Sequence, residues 1–140
     1  MKNLEQIRAA QALRFWNRPG NGEGVAGATP AEVEATRRLP VLLLKHGLLA
    51  TLALAKSQGE RSALGKLMLE IGGFLCGSER RVLPPLPPRR PGESALDPLI
   101  RLLTEGDAAH SQRLQQATAE ALAYGGYLRR FAPPSTAEAK

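Results

Sequence analysis

The stretch from Leu39 to Ala55 is the most apolar part of the chain, and only Lys45 and His46 interrupt it strongly. A membrane span needs roughly 20 mainly apolar residues without such charges. The stretch therefore reads as a buried core helix of a cytoplasmic protein. A helix that is apolar over most of its surface has to be covered by neighbours, and these must come from the rest of the chain.

Those neighbours read as helices too. Leu and Ala supply most of the apolar residues, aromatics are only 4%, and β-branched residues are scarce. Leu4, Ile7, Ala10 and Leu13 recur every third residue, predicting a helix from Lys2 to Trp16. Thr29-Pro30-Ala31-Glu32 combines a capping threonine, a first-turn proline and a capping-box glutamate, so a helix starts there. Pro40 disfavours helical backbone at Leu39, which predicts that this helix is short and that a second one opens at Pro40 and runs to about Ser57. Further helices are predicted from Glu60 to about Leu75, from the Asp97-Pro98 cap to about Thr104, and from Asp107 to Ala132. In the last, Leu114, Ala117, Ala121, Tyr124 and Leu128 mark one face. Gly65, Gly72 and Gly73 are candidates for close helix approach.

The expected fold is all-α: a compact antiparallel bundle of five or six helices in a single domain, 1–132. It carries a Gly-rich loop at 17–28 and a Pro-rich linker at 77–92, in which Pro84-Pro85 and Pro87-Pro88 favour extended polyproline II. Pro133-Pro134 ends the final helix, and 133–140 reads as a frayed tail.

Chemistry is poorly represented. The single cysteine, Cys76, excludes an internal disulfide and reads as a small core residue at a helix end. With only His46 and His110 beside it, no Cys/His zinc site of the usual kind can form. Asp97, Glu105, Asp107 and Glu120 have no metal-ligand spacing. Gly20, Gly22, Gly24 and Gly27 lack the strand, Lys and Ser/Thr of a phosphate-binding loop. No cofactor is expected, and an enzyme is the last of the readings.

The charge is more informative. Lys+Arg is 19 against Asp+Glu 13, a net +6, and the pI is near 10.1. Such an excess fits a nucleic-acid partner, although a high-GC genome also enriches arginine. Arginine pairs stand at Arg37-Arg38, Arg80-Arg81, Arg89-Arg90 and Arg129-Arg130. The proline-flanked pairs read as linker charges, and Arg129-Arg130 also suits a helix C-terminus. Phe15, Trp16, Tyr124, Tyr127 and Phe131 read as core or interface residues rather than base-stacking platforms. Binding would then follow the phosphate backbone without reading sequence.

Three blocks, in order and spacing, resemble the small all-helical subunit of the type III-B (Cmr) CRISPR effector complex. They are Leu4-Glu5-Gln6-Ile7-Arg8-Ala9-Ala10, the Leu39–Ala53 run with its Leu-Pro…Gly-Leu…Thr-Leu-Ala pattern, and Thr118–Tyr124 followed by Leu128-Arg129-Arg130-Phe131-Ala132. Two positions depart from the family pattern: His46 stands where Asn is usual, and Tyr127 where Trp is often found. The resemblance implies a non-catalytic subunit that stacks with copies of itself along the filament and contacts other Cmr subunits. It also implies that guide and target RNA lie in a basic channel. The residues expected to face RNA are Arg37, Arg38, Lys45, Arg129 and Arg130, while His46 is expected in buried packing or a polar contact. A helical protein-interaction or regulatory module with no RNA role is the alternative.

Overall fold

The computed structural model describes residues 3–18, 29–77, 82–105 and 109–133, with side chains of the last stretch from 112 onward. Five helices and no strand occur among the described residues: α1 (Leu4–Trp16), α2 (Pro30–Gln58), α3 (Ala63–Leu75), α4 (Asp97–Thr104) and α5 (Ala109–Arg130). The fold is all-α, as the sequence predicts.

Local signals set the helix starts. Asn3 and Gln6 close a capping box on α1, and Thr29 and Glu32 close one on α2. Each satisfies two backbone donors that the first turn otherwise leaves open. Ser62 caps α3 through the Gly65 N–H at 3.0 Å. At α4 the expected cap shifts by one: Leu96 holds the cap position, and Asp97 is the first helical residue. Its carboxylate reaches back to accept the Ser94 N–H at 2.8 Å, a bond its place just inside the helix permits.

α2 corrects the prediction at Pro40. The helix continues through the proline and breaks instead at Gly47, whose φ of 84° and ψ of 173° are accessible essentially to glycine alone. The flanking Leu39 and Leu43 are fully buried. Burying each contributes about 1.5–3 kcal/mol, enough to offset an interior proline's cost of about 3 kcal/mol.

α1 and α5 run parallel, not antiparallel. Arg8 pairs with Glu120, and the Trp16 indole N–H donates to the Leu128 carbonyl at 2.8 Å, so both contacts join residues 112 apart in sequence. α2 runs the opposite way, since Glu32 pairs with Arg18 at the end of α1 while Leu39 lies against Gly125. This course holds for the half of α2 before Gly47; beyond the break the second half turns back, so that Leu54 and Gln58 come to face Leu42 and Arg38.

α3 enters this frame through Glu70. Its carboxylate accepts from the Tyr124 hydroxyl at 2.6 Å and the Gln11 side-chain amide at 2.9 Å, and Phe74 stacks on Tyr124 at 4.1 Å. Glycine permits two close approaches: a Cβ on Gly72 would stand 2.7 Å from the Leu99 side chain of α4, and one on Gly65 would collide with the backbone of Gly59 and Glu60. Gly73, also expected at an approach, faces open space instead.

Residues 82–96 are fastened to the bundle rather than forming a free linker. Leu83 and Leu96 are buried, and the Val82 and Leu83 N–H groups both donate to the Leu75 carbonyl. Arg101 grips Glu93 with Nε and Nη2 at 2.7 and 2.9 Å and also donates to the Pro88 carbonyl. Arg89 reaches Glu60 at 3.9 Å. Arg80, Arg81, Asp107, residues 19–28, the tail from 134 and the His110 side chain lie outside the described residues.

Candidate nucleic-acid interface

The buried stripe of α2 dictates what its other side presents. Val33, Ala35, Thr36, Leu39 and Leu43 face the bundle. At 3.6 residues per turn the opposite arc consists of Glu34, Arg37, Arg38, Val41, Leu44 and Lys45, and all six are exposed. Arg38 and Lys45 are seven residues apart, two turns along one line, with Arg37 beside them. The structure thus brings three of the five sequence-predicted basic residues onto one face.

That face is mixed in character. Val41 and Leu44 are 61% and 74% exposed, more than any other large hydrophobic among the described residues. Arg37 lies 3.7 Å from Glu34, a solvated pair that leaves the arginine 41% exposed. Arg38 also edges a groove between the two halves of α2, lined by Leu42, Leu54 and Gln58 among others. The groove exists because the break at Gly47 redirects the second half of the helix.

Arg129 and Arg130 are exposed in the last turn of α5. Counting about 1.5 Å of rise per residue from the Leu39–Gly125 contact, Arg37 and Arg129 lie within roughly one turn of each other along the bundle axis. Arg37 and Arg38 thus share a level with Arg129 on neighbouring helices, whereas Lys45 lies roughly 15 Å from Arg129 along the axis. The Arg130 guanidinium lies 5.9 Å from the Tyr127 ring centroid, and Tyr127 in turn stacks with Phe131.

Several expectations need correction or sharpening. His46 is exposed beside the Gly47 break, so buried packing does not apply to it. Phe15, Trp16 and Tyr124 are core residues, whereas Phe131 is 40% exposed. Cys76 is buried, and desolvation pushes its thiol up to about 11, which suits a packing residue and not a nucleophile. Among the described residues no three His, Cys, Asp or Glu side chains group as a metal site would need. By length and hydropathy α2 could cross a membrane, but it is broken at Gly47 and its apolar stripe packs into the bundle, as a core helix does.

Sequence reasoning missed the exposed pair Val41 and Leu44. The break at Gly47 was their signal, because a helix that turns there cannot bury its whole apolar circumference.

No curated protein and no solved structure matches the chain significantly. A family model described as CRISPR-associated protein (Cas_Cmr5) matches residues 4–134, nearly the whole chain and all five helices. The chain belongs to the Cmr5 family, the small subunit of type III-B CRISPR complexes.

Proposed function

We propose that this chain is a non-catalytic structural subunit of a cytoplasmic RNA-targeting effector complex. It packs along the filament against copies of itself and other Cmr subunits, and it helps hold guide and target RNA through Arg37, Arg38, Lys45, Arg129 and Arg130. The observation that carries this reading is the outer face of α2. There three exposed cations stand around two exposed aliphatic side chains on a helix whose other side is core.

The physics asks little of such a subunit. Cations that neutralise phosphates release counterions, so affinity falls steeply with salt and does not depend on base identity. One weak site per subunit becomes effective when copies line one strand. Replacing Arg37, Arg38 and Lys45 together with Glu should weaken RNA retention by the assembled complex while the helical circular dichroism stays unchanged. Retention equal to wild type in a complex of normal composition would overturn the α2 assignment.

The exposure of Val41 and Leu44 supports a second reading, in which this face serves protein contacts alone. Val41→Ser with Leu44→Ser would then eject the chain from the complex, and the triple charge reversal would leave RNA retention intact whenever assembly is intact.

A further inference from the structure

The end of α5 presents an aromatic surface that the α2 face does not explain. The chain has three phenylalanines, and Phe15 and Phe74 are 7% and 6% exposed. Phe131 is 40% exposed, although it immediately follows a helix whose inner face is fully packed. Its ring lies near-parallel to Tyr127, with centroids 6.2 Å apart and planes 19° from each other. Arg130 lies over Tyr127, and Arg129 and Arg130 are both exposed beside the pair.

The arrangement is held in advance. The Phe131 N–H donates to the Tyr127 carbonyl at 3.0 Å and the Ala132 N–H to Arg129 at 3.3 Å, so the helical turn continues past Arg130 and fixes where Phe131 projects. Tyr127 is half-buried on its α1 side, and partial desolvation and the Glu5 carboxylate push its hydroxyl above the ordinary value. Little ordering cost would attend binding to such a surface.

We infer that Phe131, backed by Tyr127 and flanked by Arg129 and Arg130, is a stacking platform for an unpaired base of single-stranded RNA. It deepens the RNA-holding reading above and rests on it. The ring takes the π face of the base, and the two guanidiniums take the adjoining phosphates. Every base has a π face, so the platform tolerates any sequence. It selects single strands, because bases inside an A-form duplex are already stacked and inaccessible. A surface of arginines alone would not make that distinction.

The test uses the full chain at low salt with two probes: a single-stranded oligoadenylate containing 2-aminopurine, and an RNA duplex of equal length. Fluorescence anisotropy reports affinity, and 2-aminopurine quenching reports stacking. Phe131→Leu keeps an apolar side chain at an exposed position, so folding is preserved. It should weaken single-strand binding roughly 5- to 150-fold, the range set by losing one stacked base. It should also abolish the quenching and leave duplex binding and the slope of affinity against salt unchanged. Phe131→Trp should restore both affinity and quenching.

Single-strand affinity unchanged by Phe131→Leu, or no binding of the oligoadenylate by the wild-type chain, overturns the platform. So does a Phe131→Leu chain that keeps its RNA affinity but no longer joins the other subunits, which would make Phe131 a protein contact. RNA retention by the assembled complex with Arg37, Arg38 and Lys45 reversed is measured separately, so the platform can fail while the broader RNA-holding role stands.

Discussion

Arg8 holds Glu120 with two nitrogens of one guanidinium edge, Nε donating to Oε2 at 2.6 Å and Nη2 to Oε1 at 2.7 Å, across the parallel α1–α5 seam. Glu120 is only 3% exposed, so the pair is charge-assisted, bidentate and largely shielded from water. Removing the cation from so buried a carboxylate costs more than the pair contributes in net terms, because the carboxylate's desolvation is then poorly compensated. Arg8→Ala should therefore lower unfolding stability by about 3 kcal/mol. Replacing both partners with apolar residues, Arg8→Met with Glu120→Leu, should recover most of that loss. Urea denaturation of the three proteins measures it, and equal losses in the single and double variants would contradict this account.

Gly47 and Gly73 should respond in opposite directions to alanine. Both have open space where a Cβ would stand. Gly47 holds φ at 84° and ψ at 173°, so Gly47→Ala should cost about 1–3 kcal/mol in strain alone. Gly73 is an exposed position inside α3 without a positive φ, and Gly73→Ala should stabilise by about 0.5–1 kcal/mol. Thermal melts of both variants decide the matter. Equal shifts would mean that the break in α2 is not maintained by backbone conformation at Gly47.

Acid should loosen α4 and the segment before it ahead of the rest of the bundle. The Asp97 carboxyl is held below its ordinary value by the Lys56 ammonium at 2.7 Å and by the Ser94 N–H. Glu93 is held down by Arg101 and by the Arg90 N–H. A depressed carboxyl supports the fold fully above its unfolded value of about 4, and that support is lost as the pH falls through the lower folded value. Hydrogen exchange of the Leu99–Leu103 amides, corrected for intrinsic rates, should be unchanged from pH 7 to 5 and accelerate below about 4. Tyr124 and its neighbours in α5 should stay protected through the onset of that change.

Cys76 should be inert in the folded chain. Its thiol is raised to about 11, which leaves very little thiolate near neutrality, and its burial denies access to reagents. A maleimide should label it slowly at pH 7.5 and rapidly in guanidinium. Fast labelling under native conditions would show that the end of α3 opens locally.

The features legible in the chain were those written within a few residues. Thr29, Pro30 and Glu32 form the start that their spacing indicates, because a capping box closes over three residues. Ala117, Ala121, Tyr124 and Leu128 are buried in line, because a periodic stripe needs no knowledge of its partner. The three family blocks, and with them membership in the Cmr5 family, were equally readable from the letters.

Relationships between distant segments belonged to the tertiary structure. Whether Pro40 ends a helix depended on Leu39 meeting Gly125, a contact between residues far apart in the chain, and packing there outweighed a local preference. The parallel course of α1 and α5 rests on Arg8 meeting Glu120 and Trp16 meeting Leu128, contacts between residues 112 apart in the chain. The basic residues were visible as letters, but their grouping around Val41 and Leu44 depended on which side of α2 the bundle covered. Phe131 likewise reads like any other aromatic until the burial of Phe15 and Phe74 shows it to be the one left at the surface. Periodicity and capping are short-range, so a sequence carries them openly. Exposure is a property of the whole packed chain, and it decided which side chains are available to a partner.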